Sequence, residues 1–571
     1  MPLARDATMR PMSFKALPAG VEITPTRGRR FPLSRIGVFT LALSSFFAIA
    51  VILQHRCDAY NAELGGYPDE PGHFVTGVLF RDYFETFPPR PFIPFAEEFY
   101  IHRARIAIGH WPPVFYLIEG VWFCLFGVSR ASAISLMGLI CAATAASVWA
   151  ILRSRCGEIA AGAAGLLFLS LGFVRIQSSE VMSDMLVALF GLWSAIAFAD
   201  FLARDRLRDI LLFSIFALLS IFTKNSGLYL AFLPPISILI TRRLAVFRNP
   251  RLWLGAIAVG LPSLLWIVWS RKFAADYWIE KPGFALFVRA FPHNLVFLYM
   301  IFGPVFLLLA LIGALRAWWR FANHSDLLPP VLAATAFSVL LFQSVAPLGL
   351  ESRFFLPAVA AMIPLIFLGA NWIATISLSR VRPEIGVLAI VLAAALISPH
   401  QTFTAPPKER RGFSAVADLI QSEPALRKGA TMVSSASDGE GILTAEVAMR
   451  YPCSEGYILR ASKLLAHSDW EGRDYTSRFH SAATVSDYLE RLGVGLVVID
   501  QHKVTGVPEH QVLLLEAIRE NPGKWRRVGV SASPKDSAVL TYQRTAAIEG
   551  PERNIRNDMR EVLQRILHES E

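Results

Sequence analysis

Residues 36–53 read IGVFTLALSSFFAIAVIL, an uncharged run bounded by Arg35 and by Gln54-His55-Arg56. A run of this length and polarity is close to what crosses a bilayer, where a helix satisfies its own backbone hydrogen bonds. Ala48-Ile49-Ala50 resembles a signal-peptidase site, but apolar residues continue past it, so the run reads as an uncleaved signal anchor. Residues 1–35 carry Arg5, Arg10, Lys15, Arg27, Arg29, Arg30 and Arg35 against Asp6 and Glu22, a basic tail suited to the cytoplasmic side. The chain is therefore expected to emerge outside after residue 53.

Composition extends this reading to the whole chain. With 54% hydrophobic residues and a mean hydropathy of +0.45, the chain is too apolar for an ordinary soluble protein. Further apolar runs fall at 131–152, 158–175, 184–201, 209–223, 226–240, 252–270, 294–314, 328–346, 354–375 and 385–398, giving about eleven spans. The run 114–128 is short and contains Glu119, which suits a helix lying at the membrane surface. If it does not cross, the basic loops around Arg153, Arg206, Arg243, Arg316 and Arg380 all fall inside, the N-terminus is inside and the C-terminus outside. The net charge of +10 is then explained by orientation, and with no basic stripe interleaved with aromatics no nucleic-acid partner is expected. The five cysteines have no CxxC spacing, which excludes a zinc framework; a pairing of Cys57 with Cys453 outside stays open.

The same parity gathers the polar outer segments. YPDEPGHF (67–74) holds Asp69 and Glu70, readable as a solvated turn or as a carboxylate general base beside a membrane pocket, and His73, readable as structural or as lying beside them on a helix opened by Pro71. In QSSEVMSD (177–184), Glu180 and Asp184 are four apart, which fits a helix cap or a weak divalent-cation site. Arg103, Arg105 and His110 precede the surface helix and suit a phosphate or lipid head groups. Lys224 in TKNS (223–226) and Arg353 in PLGLESR (347–353) are isolated basic residues that either snorkel or bind phosphate.

Beyond residue 400 the composition becomes that of a soluble domain. Strands are expected at 431–435, 495–500, 525–530 and 538–542, alternating with helices near 442–450, 484–492 and 510–520, an α/β unit over 401–548 able to fold alone. Its DGEG segment (Asp438 to Gly441) lacks a phosphate-loop pattern, so no nucleotide is expected there. Residues 549–571 read as a charged tail helix.

Taken together, residues 36–375 resemble the GT-C superfamily of membrane glycosyltransferases, close to the protein O-mannosyltransferases and the lipid A aminoarabinose transferases. The family's acidic dyad in the first outer loop is matched by Asp69-Glu70. HWPPVFY is similar to its His- or Lys-Pro-Pro opening of a juxtamembrane helix, although Trp111 separates His110 from the prolines. SDMLVALF, TKNSGLYL and ESRFFLP follow in the family's order. The resemblance implies a GT-C-like polytopic α-helical fold in the inner membrane of a bacterium; the C-terminal soluble α/β domain read from composition lies outside it. It implies inverting transfer from a polyprenyl-phosphate sugar to a glycan, lipid or protein acceptor, with Asp69 as general base and Glu70 and Asp184 beside it. Lys224, Arg353, His110 and Arg103 would meet the donor phosphate, and His73, Glu180 and Glu351 would position sugar or acceptor. No cofactor is required, since fixed cations can carry the leaving phosphate, while a divalent metal at Glu180 and Asp184 stays open. The rival is a lipid-linked-sugar flippase or transporter, but there is no internal repeat and the span interiors lack charge.

Overall fold

The computed structural model describes residues 33–106, 109–271, 283–320, 326–346, 349–378, 380–436, 438–467, 474–502, 506–529, 539–546 and 552–568. Most of the basic tail therefore lies outside the described residues, as do parts of the loops 271–293 and 347–353.

Among the described residues, seven helices are long and apolar enough to cross a membrane: Ile36–Arg56, Arg130–Cys156, Asp184–Arg204, Pro250–Ser270, Phe284–Trp319, Leu328–Val345 and Ser352–Ser377. The pair Glu158–Ser170 and Gly172–Ser178, bent by 67°, raises this to eight. About eleven spans were expected; the remaining runs form helices of 15, 8 and 15 residues, too short to be counted among these by length alone. Leu207–Ile221 and Pro383–Ile397 form single short helices. The run from 226 becomes a 3-10 turn, Asn225–Ala231, then Leu233–Ile240 with prolines in its first turn. In an apolar 18-residue stretch of each, 78%, 83% and 89% of the residues are buried in Arg130–Cys156, Asp184–Arg204 and Ser352–Ser377, against 11% in Ile36–Arg56. The former make the bundle's centre, and the latter offers its apolar surface to lipid. Phe284–Arg320 is broken at Gly303, whose φ of +68° is open to glycine at little cost.

Val114–Phe126 has 13 residues, about 20 Å of helix against roughly 30 Å of hydrocarbon. It packs on Glu70–Glu85.

The C-terminal region contains β1 (Ala430–Ser434), β2 (Tyr457–Arg460), β3 (Ala466–His467), β4 (Thr476–Ser477), β5 (Val494–Asp500), β6 (Trp525–Val528) and β7 (Val539–Arg544). The main sheet has the order β2-β1-β5-β7-β6, and β3 pairs with β4. β1 runs parallel to β2 and β5, while β7 is antiparallel to β5 and β6. Strand side chains alternate between faces. Val433, Leu496 and Val498 pack with Phe413 and Ile442 from Phe413–Ser422 and Gly439–Ala448. Met432, Val497 and Ile499 join the larger core with Val485 and Leu514.

This region is fastened to the first loop and to a central span. Glu63 accepts from the backbone N–H groups of Arg411, Gly412 and Ser414, Arg130 pairs with Glu446 at 2.5 Å, and Arg103 bridges to Ile458 beside β1. The tail helix Glu552–His568 buries Ile555, Met559 and Val562. Cys57 and Cys453 are both free; Cys453 Sγ lies 3.7 Å from the Phe99 carbonyl, and the pairing left open above does not form.

Candidate active site

Asp69 occupies the N-cap position of Glu70–Glu85, with Pro71 in the first turn, yet its side chain makes no capping bond. The proline removes one N–H and starts the helix without that cap. The Asp69 carboxylate therefore turns elsewhere, and its Oδ2 accepts from Arg353 Nη2 at 3.1 Å. Arg353 stands in the 3-10 turn Ser352–Phe355 that opens the central helix Leu356–Ser377. It also pairs with Glu351 and lies 4.0 Å over the ring of Tyr67. Of the pair, the Asp69 side chain is 20% exposed and that of Arg353 8%, so the carboxylate is the more reachable partner.

A second ion pair adjoins the first. Lys224 Nζ donates to Asp184 Oδ1 at 3.0 Å and Oδ2 at 2.8 Å, joining the loop after Leu207–Ile221 to the start of a central span. Lys224 and Arg353 lie 5.0 and 5.4 Å from the same Phe354 ring. Burial and the neighbouring Arg353 push the Lys224 ammonium below its usual range, against the pull of Asp184. Two cations and two carboxylates thus meet at one end of the bundle, with each cation already held by a carboxylate.

Glu70 behaves differently. It is fully buried; Oε2 accepts from Gly66 N at 2.8 Å, and Oε1 from Val181 N at 3.0 Å and Lys408 Nζ at 2.6 Å. A carboxylate so engaged ties three segments together instead of facing a reactant. Glu180 packs against Gly66, where a Cβ would come within 2.8 Å of its Oε1. Burial, then the Glu70 charge, raise the Glu180 carboxyl to about 8, so at neutral pH it is mostly protonated.

His73 lies in a layer of rings. It stacks on Trp111 at 4.0 Å between centroids, and its Nδ1 is 2.7 Å from the Tyr116 hydroxyl. Burial and four surrounding cationic or imidazole groups, Lys224 foremost, hold it well below its ordinary pKa and therefore neutral. Trp111, the departure from the expected motif, is what covers it. His110 is buried beside Trp111. Arg105 donates to the Pro68 carbonyl at 2.6 Å, and burial followed by Arg460 pushes it down to about 10.

Arg103 does not join this cluster. It is fully buried and donates to the carbonyls of His102, Gly456 and Glu455 at 3.0 to 3.2 Å, under the Tyr451 ring. Its expected phosphate role is corrected to one of fastening the first loop to the C-terminal region. Three neighbours went unread: Lys408, Tyr67 and Glu63. The run KERR (408–411) was the available signal for the first, since a basic cluster on the outer side breaks the charge rule and asks for acidic partners.

As metal candidates, Glu180 offers a protonated carboxyl and Asp184 has both oxygens on Lys224. Among the described residues no group of three or more His, Cys, Asp or Glu is placed to hold a metal ion.

The comparisons with known proteins agree with this architecture. Residues 110–269 match the family model described as dolichyl-phosphate-mannose-protein mannosyltransferase, a stretch that includes HWPP, Asp184 and Lys224 but not Asp69 or Arg353. No curated protein matches the chain by sequence. ArnT from Cupriavidus metallidurans, in a crystal structure bound to undecaprenyl phosphate, superposes with a TM-score of 0.53 at 12% identity over 91% of this chain and 99% of that one. The oligosaccharyltransferase of Archaeoglobus fulgidus in its apo form gives 0.53 at 14% identity over 86% and 75%. The chain is a multi-pass membrane protein with the GT-C fold, and it resembles the membrane glycosyltransferases of that superfamily.

Proposed function

We propose that this chain transfers a sugar, with inversion, from a polyprenyl-phosphate donor to a glycan, lipid or protein acceptor on the extracytoplasmic face of a bacterial inner membrane. The observation that carries this reading is the Asp69–Arg353 pair beside the Lys224–Asp184 pair on a GT-C fold whose neighbour binds undecaprenyl phosphate. The donor phosphate draws Arg353 and Lys224 toward itself, since a phosphate competes well for a guanidinium. Asp69 is then released beside the anomeric carbon. It takes the acceptor's proton as the new bond to that carbon forms, and the carbon–phosphate oxygen bond breaks with its electron pair leaving on the lipid phosphate. Neutral His73 lies buried beneath Trp111 and adds no charge, and Glu351 holds Arg353. The scheme requires no metal, because both cations lie where the leaving charge grows.

The test is incubation of the purified protein with a panel of polyprenyl-phosphate sugars and a membrane extract as acceptor source, following release of polyprenyl phosphate. Release that requires one donor and acceptor is expected. Movement of intact donor across a vesicle bilayer without release would replace this reading by a flippase.

A further inference from the structure

The C-terminal sheet contains a crevice that the transfer reaction does not use. From β1 the chain enters Gly439–Ala448 on one face of the sheet and reaches β2 on one side; from β5 it enters Glu509–Arg519 and leads to β6 on the other side. The helices after β1 and β5 join different cores, Ile442 with Phe413 and Leu514 with Val485, so they lie on opposite faces. The two loops therefore part at the carboxyl ends of adjacent parallel strands, the topological switch point where open α/β sheets bind ligands. A cavity of about 270 Å³ lies there, lined by Ala436, Asp500, Gln501, His502, Glu516 and Arg519, among others.

The chemistry of the lining selects a ligand class. Phosphate is disfavoured, because the first turn of Gly439–Ala448, where an anion would gain most, already holds carboxylates. Asp438 pairs with Arg411 there, Glu440 accepts from Ser462 N at 2.8 Å, and a Cβ on Gly439 would come within 2.7 Å of Asp500 Oδ2. Asp500 is buried and fixed, accepting from Ser435 Oγ at 2.8 Å and His502 N at 2.9 Å. The lining brings the amide of Gln501, the imidazole of His502, the carboxylate of Glu516 and the guanidinium of Arg519 together with the apolar Ile499, Val507, Val512 and Leu515. Hydroxyl groups are both donors and acceptors and match such a rim. The volume is just below the roughly 300–1,000 Å³ of sites for drug-sized ligands, which suits one or two sugar rings.

The rim is also tied to the active site. His502 Nε2 lies 3.9 Å from Glu409 Oε2, and the preceding residue, Lys408, holds Glu70. We propose that this crevice is a binding site for a neutral, hydroxyl-rich ligand, namely a sugar unit of the acceptor, held a short chain segment away from Asp69. The sugar site stands on its own geometry; its assignment to the acceptor rests on the glycosyl-transfer reading.

The experiment is saturation-transfer NMR on the full-length protein in nanodiscs, with galactose, N-acetylglucosamine, maltose and lactose as probes and ADP and inorganic phosphate as counter-probes. At least one sugar should show transfer, with a signal falling at least fivefold in Gln501→Ala/Arg519→Ala, two exposed positions whose loss leaves the core intact. The signal should persist in Lys224→Ala. Sugars that give no transfer, transfer unchanged in the double variant, or binding of ADP or phosphate instead would each overturn the crevice assignment. Transfer lost only in Lys224→Ala would place the sugars at the active site, overturning this inference while leaving the proposed function standing.

Discussion

Asp69 and Glu70 are neighbours with opposite surroundings, and the difference assigns their roles. Asp69 holds one ion pair at a partly open site, whereas Glu70 is enclosed by three donors. Asp69→Asn keeps size and most hydrogen bonding but cannot accept a proton, so turnover should fall about 10²- to 10⁴-fold while donor binding, measured by lipid titration, stays near wild type. Wild-type turnover in folded Asp69→Asn protein would remove Asp69 as the base. Glu180 makes a pH prediction. Its carboxyl, raised to about 8 by burial and Glu70, binds a proton in the folded protein that the unfolded chain has already released by neutral pH. Stability from this group is therefore complete below the ordinary glutamate pKa and is lost as pH rises through about 8. The melting temperature should fall between pH 6 and 9, and Glu180→Gln, always neutral, should flatten that fall. An unchanged slope in Glu180→Gln would show that another group titrates.

Among the elements, the short helix Val114–Phe126 sets which segments share a side. It ends at Gly127, so Ser129, the N-cap of Arg130–Cys156, should lie on the same side as Asp69. In a background lacking the exposed Cys124, a cysteine at Ser129 should react in intact cells with a membrane-impermeant thiol reagent. Reaction only after the membrane is opened would mean that the helix crosses. That a short helix stands here was legible from the length of the apolar run; the side on which it ends is what the cysteine tests. The strands β1, β5, β6 and β7 of the main sheet were legible from their β-branched and aromatic residues. The strand Tyr457–Arg460 was not, because its pairing with β1 is a tertiary contact that its own residues do not announce. Lys224 and Arg353 stood out as lone cations at span ends. Arg103 misled because Arg105 beside it does reach the dyad's turn, while Arg103 sits at the C-cap of Phe92–His102 and turns to the C-terminal carbonyls. Side-chain direction at a helix end depends on what packs there, and sequence spacing alone does not carry it.

At the scale of the whole molecule, the active-site end is closed by a residue from beyond the last apolar helix. Lys408 Nζ reaches Glu70 Oε1 at 2.6 Å and the Ser179 carbonyl at 3.3 Å, while its own N–H donates to the Cys57 carbonyl at 2.9 Å. The first loop, the turn before Asp184 and the C-terminal region are thus fastened at one buried ion pair, one residue from the proposed base. Removing one partner of such a pair leaves a charge buried alone, which typically costs about 3–5 kcal/mol, whereas removing both can be nearly neutral. Lys408→Met should therefore lower the melting temperature and reduce turnover at least tenfold, because the Glu70 carboxylate loses its cation and the turn carrying Asp69 is no longer fixed. Glu70→Gln alone should do comparable damage by stranding Lys408. The double variant Glu70→Gln/Lys408→Met should recover most of the melting temperature, a coupling that only a direct pair produces. Turnover should recover with it if Glu70 acts by holding the turn, and should stay lost if Glu70 itself handles the acceptor's proton. Additive losses in melting temperature across the two single variants would show instead that the pair does not join the C-terminal region to the catalytic end.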